Sequence, residues 1–158
     1  MPDWLTHVLF AWALWNFLSL KFNVKYKGVF LAGGILADIK TINMLYPLDL
    51  GYILTIFHTP LGALILPGIL SQSIFTGRIK QAQIFILLGA SSLFHLLFDL
   101  MISSMEGRVM LLFPFSFKSY SFNIFMQEDF TLLYIAFTTL VISFIAQISR
   151  SVPKYDTR

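Results

Sequence analysis

The sequence contains no cysteine. That excludes disulfides and thiolate ligands, so any metal site has to be built from imidazole and carboxylate, a set suited to zinc, manganese and similar ions. It carries no information about redox compartment. Charge is scarce as well: Asp, Glu, Lys and Arg make up 12% of the chain, about half their share in an ordinary soluble domain. There are eight acidic residues and three histidines. With 57% hydrophobic residues and a mean hydropathy of +0.77, the composition excludes a soluble globular domain. The net charge of +3 is not a nucleic-acid patch, because the basic residues lie in short loops; no nucleic acid partner is expected. No internal repeat is evident. There is no nucleophile elbow and no Ser/His/Asp arrangement, which excludes serine-hydrolase chemistry.

What is present is a set of long apolar runs, and a bilayer core takes about 20 helical residues to cross. The first run is Trp4 to Leu20. Its basic residues follow it rather than precede it and no small-residue cleavage site is evident, so it does not read as a cleaved leader. The second, Gly28 to Tyr46, is loosened by Gly33-Gly34 and interrupted by Asp38 and Lys40; it reads as a weak span or a broken, re-entrant one. Leu50 to Phe75 is uncharged, and Pro60 and Pro67 are expected to kink it. Ala82 to Met105 is the fourth run, and Phe130 to Ile148 is the fifth and cleanest. The fold expected is all-α, a polytopic membrane protein of about five helices with a kinked third. Residues 1–149 form one integral membrane domain, and residues 150–158 a short basic tail. Oligomeric state is not legible.

Orientation follows from Lys and Arg. Lys21, Lys25, Lys27, Arg78, Lys80, Arg150, Lys154 and Arg158 fall on one side if the five runs cross and Arg78–Lys80 is a loop. Arg108 and Lys118 fall on the other. The positive-inside rule then places the N-terminus outside and the C-terminus in the cytoplasm of a cell-membrane protein. The segment Gly107–Asp129 becomes an outer loop whose aromatics alternate with Ser, Lys and Asn. It reads either as a loop resting on the headgroups or as a lid or lipid-facing rim.

The run Ala82–Met105 organises the rest. Asp99 is its only Asp, Glu, Lys or Arg, and His95 stands four residues before it. Positions i and i+4 share a helix face, and an ionisable group at membrane depth is by default a functional candidate. Alone, the pair could equally tie helices together. On the topology above, however, His7, Asp38, His58, His95 and Asp99 all lie roughly 5–15 Å below the outer surface, at ~1.5 Å of rise per residue. Three imidazoles and two carboxylates at one depth suffice for one metal ion or two. A bound dication, zinc first and manganese second, also relieves the cost of burying the carboxylates. Singly, each has a plainer reading: His7 as an interfacial residue, His58 as part of a proline kink, Asp38 as a partner of Lys40.

The motifs and their order resemble the membrane-bound metal-dependent hydrolase family, also described as LexA-binding, inner-membrane-associated hydrolases. The matching pieces are Thr6-His7, Gly33-Gly34-Ile35-Leu36-Ala37-Asp38, His58-Thr59-Pro60, His95-Leu96-Leu97-Phe98-Asp99 and Leu112-Phe113-Pro114-Phe115-Ser116. The opening Met1–His7 looks most like archaeal members. Ala37 stands where the family usually has Pro, and the family's longer His-Arg-Gly-x-Thr-His run is reduced here to His58-Thr59-Pro60. The ligand order is also remotely similar to zinc-dependent phospholipase C. That similarity implies one site of Asp38, His58, His95 and Asp99, and a second of His7 and a bridging Asp99, with Asp3 or a backbone group completing it. No His follows His95, so the ligands of a third zinc are absent.

Together these imply a metal-dependent hydrolase acting on an amphiphilic, lipid or lipid-linked phosphoester or ester at the outer leaflet. Asp38 or Asp99 would serve as general base, and membrane lipids are the expected surroundings. Two alternatives remain: a divalent-cation or proton-coupled carrier, which the lack of repeat symmetry disfavours, and a non-catalytic membrane scaffold holding a structural metal.

Overall fold

A computed structural model of the chain describes residues 4–21, 25–37, 56–74, 76–103, 109–126 and 130–151. Among them are five α-helices: α1 (Trp4–Lys21), α2 (Lys27–Leu36), α3 (Gly62–Ile74), α4 (Arg78–Met101) and α5 (Thr131–Ser151). Two short strands, β1 (Ile102–Ser103) and β2 (Phe125–Met126), pair in parallel with Ile102 opposite Phe125. The architecture is therefore mostly helical, as the hydropathy pattern demands.

The helices alternate in direction. Phe30 packs on Trp15 while Gly34 approaches Ala11 and the His7 carbonyl, so α2 runs against α1. Gly33 lies against Leu88 and Ser91, and the Gly34 carbonyl reaches His95, so α2 runs alongside α4 in the same sense. Leu64 approaches Gly89 and Phe85 approaches Gly68, which makes α3 antiparallel to α4. Phe10 clusters with Leu132 and Ala136, and Asn16 bonds Ser143, so α5 runs parallel to α1. Close approach of α2 to α4 depends on Gly33: a Cβ there would stand 2.6 Å from the Leu88 carbonyl oxygen. The pair that loosens the run on propensity grounds is thus a packing face, the small-residue contact that lets backbones approach in a membrane.

Two helices, Arg78–Met101 and Thr131–Arg150, are long and apolar enough to cross a membrane. Much of α5 is apolar and open to the surroundings, including Tyr134, Phe137, Ile142, Ile145 and Ile148. A helix apolar on its outer face suits lipid, not water. Among the described helices, α2 and α3 are shorter, with 10 and 13 residues. At ~1.5 Å per residue neither covers a core of about 30 Å.

Two local expectations change. Arg78 and Lys80 occupy the first turn of α4 rather than a loop. Both are good helix formers, and Gly77 ahead of them takes φ of 96°, a backbone turn that glycine makes at least cost. Pro60 does not kink a continuous helix. Thr59 Oγ1 accepts from the Gly62 amide at 3.1 Å and donates to the Ile56 carbonyl at 2.6 Å. Thr59 therefore closes the turn that leads into α3, and Pro60 lies in that turn ahead of the helix, where a missing N–H costs nothing. Pro67 does lie inside α3.

Candidate metal centre

Four of the five candidate residues converge at one end of the bundle. His7 comes from the first turns of α1, His58 from the turn ahead of α3, and His95 and Asp99 from the last turns of α4. All four are buried. His7 Nε2 lies 3.4 Å from Asp99 Oδ1, while His58 Nε2 and His95 Nε2 lie 2.7 and 3.2 Å from Asp99 Oδ2. The His7 and His95 rings are layered, with centroids 3.8 Å apart, and His58 stands edge-on to His95. Asp38, the fifth, lies outside the described residues, as does Asp3.

Each ligand is held from behind. His95 Nδ1 donates to the Gly34 carbonyl at 2.7 Å, and His58 Nδ1 to the Ala37 carbonyl at 3.3 Å. These carbonyls belong to the C-terminal end of α2, where backbone oxygens lack intrahelical donors and carry the negative end of the dipole. Gly33 sets the approach of α2 to α4, and Ser92 Oγ donates to the Gly33 carbonyl at 2.8 Å. His58 is placed by the Thr59 turn, and a Cβ on Gly62 would collide with the Ile56 carbonyl that the same turn uses. In the sequence Gly33, Gly34, Ala37 and Thr59 stand out only as motif pieces, with no supporting role, and Gly62 and Ser92 do not stand out. The available signal was a pair of small residues, Gly33-Gly34 and Ser91-Ser92, in each of two apolar runs.

The hydrogen-bond roles decide what the cluster can hold. A carbonyl oxygen only accepts, so Nδ1 of His58 and of His95 carries the proton. In the neutral ring Nε2 then presents a lone pair, and it faces an ionised carboxylate that also only accepts. If both rings are neutral, lone pairs meet at 2.7 and 3.2 Å; a ring that also carries a proton on Nε2 forms an ion pair with Asp99 instead. Positive charge between the rings and the carboxylate removes the conflict, and neutral imidazole with deprotonated carboxylate is the form a metal cation requires. Distances agree with this. Bonds of about 2.0–2.1 Å in a tetrahedral site put neighbouring ligand atoms roughly 3.3 Å apart; His7 stands 3.4 Å from Asp99 Oδ1 and His95 3.2 Å from Oδ2, while His58 is closer, at 2.7 Å from Oδ2. One ligand atom from each of His7, His95 and Asp99 lies within 4.8 Å of the others. The cluster can therefore hold a metal ion, with His58 beside it at hydrogen-bond distance from Asp99. The backbone-tethered imidazole is the usual supporting arrangement for such a ligand.

Beyond the site, the segment 109–126 closes the same end. Val109 is fully buried among Ala37, Ala63, Leu96 and Leu100. Amides of Phe122 and Ile124 donate to the Leu100 and Met101 carbonyls at 2.6 and 2.9 Å, and Ser121 Oγ to the Ile102 carbonyl at 2.7 Å. These satisfy carbonyls at and just past the end of α4 that have no partner within the helix.

No curated protein and no solved structure matches the chain. The family model described as YdjM inner membrane protein matches residues 1–153. A mostly helical chain with two membrane-length apolar helices and a buried His/His/Asp cluster thus belongs to the YdjM inner membrane protein family.

Proposed function

We propose that this protein is a membrane-embedded, metal-dependent hydrolase of an amphiphilic phosphoester or ester. The observation that carries the reading is the set of three imidazole Nε2 atoms gathered on one buried carboxylate, two of them with Nδ1 tied to backbone carbonyls. His7, His58, His95 and Asp99 would hold the metal, zinc before manganese. When bound, the ion would supply a water acidic enough to ionise near neutral pH and polarise the scissile group. The residues of the chain do the rest. The α2 carbonyls orient the rings, and the helix ends exclude bulk water. Both Asp99 oxygens already face imidazoles, so Asp99 suits a ligand and leaves Asp38 as the general base.

The alternating helix directions support a polytopic arrangement in which α4 and α5 cross the membrane and the shorter α2 and α3 enter it part way. With the basic residues at the ends of α1 and α5 and the start of α4, the C-terminus is cytoplasmic and the site opens toward the outer leaflet. A lipid or lipid-linked substrate fits that position, as does the motif resemblance to membrane-bound metal-dependent hydrolases. The site is also closely buried, which favours as second reading a scaffold with a structural metal.

The test is elemental analysis of the purified protein, followed by incubation with phospholipids and lipid-linked phosphates. The hydrolase reading expects a bound transition metal and turnover that chelation abolishes and zinc or manganese restores. Bound metal with no turnover of any substrate leaves the scaffold; absence of metal in protein loaded with either ion overturns both.

A further inference from the structure

We infer that the tip of the 109–126 segment is a fixed rim that dips into the bilayer leaflet on the site's side. The base of this segment is anchored. Val109 is completely buried, Tyr120 bridges back to it, and the loop amides bond the end of α4. A segment held this way does not swing as a lid. Its tip is the opposite: Phe115 is 95% exposed and Phe117 73% exposed, with Leu112 also open. Large apolar side chains gathered on an anchored turn are costly in water, and contiguous exposed patches of this kind mark an interaction surface.

The occupant is lipid rather than protein because of where the tip is fixed. The anchoring carbonyls are those of Leu100, Met101 and Ile102, at the end of a helix of membrane length in an inner-membrane family. The end of such a helix lies at headgroup level, so residues there meet the boundary between headgroups and acyl chains. Lys118, next to Phe117, can extend its charge back to that level. A rim of this kind presents the cluster of His7, His58, His95 and Asp99 to molecules moving within the leaflet. It favours lipid substrates over soluble ones, and this last consequence rests on the proposed hydrolysis.

The lack of any cysteine makes the test direct. Phe115→Cys, and separately Phe117→Cys, are spin-labelled in the full-length protein in phosphatidylcholine–phosphatidylglycerol vesicles. Arg78→Cys, exposed at the other end of α4, is the aqueous reference. Accessibility to oxygen, which partitions into acyl chains, is compared with accessibility to a water-soluble nickel chelate. The rim predicts labels at 115 and 117 that oxygen reaches and nickel does not, roughly 5–10 Å below the phosphates, with the reverse at 78. Nickel accessibility at 115 and 117 equal to that at 78 overturns the inference. Protection from both reagents overturns it too, in favour of a second protein copy covering the tip. No metal or substrate is needed, so loss of the hydrolase reading leaves this result standing.

Discussion

Two sets of interhelical polar groups sit in this bundle, one running from the buried Asn16 to the exposed Arg150 and the other wholly buried around Asp99, and they are built differently. Along the α1–α5 seam, Asn16 Nδ2 donates to Ser143 Oγ at 2.9 Å, and Ser143 Oγ donates to the Leu140 carbonyl at 2.7 Å. One turn on, Gln147 donates to Ser19 Oγ, Ser19 to the Asn16 carbonyl, and Arg150 to the Leu20 carbonyl. Every one of these contacts sets a donor against an acceptor. At the other end of α1 three imidazoles converge on the Asp99 carboxylate, an arrangement that needs positive charge, a proton on a ring or a metal ion, between nitrogen and oxygen. A satisfied polar ladder in an apolar surround holds helices together. Three imidazoles on one carboxylate are a donor set that suits a cation. Burial alone does not separate the two, since Asn16 and His95 are equally hidden; the chemistry of the groups does, amide and hydroxyl along the seam against imidazole and carboxylate at the cluster.

The sharpest way to break this contrast is to remove the carboxylate. Asp99→Asn keeps the shape but turns one oxygen into a donor that can face an imidazole lone pair. Metal per chain, measured by elemental analysis, should fall to background, while the metal-free protein melts no lower than the wild type. Unchanged metal content would mean that the cluster is only a second structural ladder. Next in size is Gly33→Ala, where the new Cβ would stand 2.6 Å from the Leu88 carbonyl oxygen and 2.9 Å from Ser91 Cβ. It should push α2 from α4 and withdraw the Gly34 carbonyl from His95. Loss of a supporting hydrogen bond of this kind weakens metal affinity about 10–100-fold, read by competition with a chelating dye. An affinity within twofold of wild type would show that the carbonyl does not position the ring.

On the ladder the effects should be smaller and of a different kind. Asn16→Ala is expected to destabilise by about 1 kcal/mol, in the range of interhelical hydrogen bonds in membranes, with metal content unchanged. A loss of metal in that variant would erase the distinction between the two regions. Smallest of all is Gly28→Ala, the control for Gly33: nothing lies within 4 Å of the added Cβ. Metal affinity should not move, and thermal stability should rise slightly, because Ala is favoured over Gly in a helix by roughly 1 kcal/mol. Equal damage from both alanines would place the Gly33 effect in the backbone rather than in the contact.

The cluster was partly legible before the fold. The spacing of His95 and Asp99 gave a shared face because helical period is local, and counting along the apolar runs put His7 and His58 in one expected layer with them; the structure brings the four side chains together. Asp38 belongs to the same expectation and lies outside the described residues. The Asn16–Ser143 and Ser19–Gln147 pairs were not read, although both runs carry polar residues three or four apart, because no local rule says which helix a polar stripe meets. Pro60 was misread for a related reason: proline breaks an ongoing helix and leads into a new one with equal ease, and only the Thr59 hydrogen bonds tell which.

By itself the sequence determined the helical, membrane-seeking character of the chain and the i, i+4 geometry of its central pair. Both follow from composition and backbone period, which act within a few residues. Tertiary structure alone decided that the C-terminal carbonyls of α2 stand behind His58 and His95, that Gly33 brings them there, and that the three rings turn Nε2 toward Asp99. These depend on contacts between segments as far apart in sequence as His7 and Asp99, whose partners are chosen by packing and leave no mark on either segment alone.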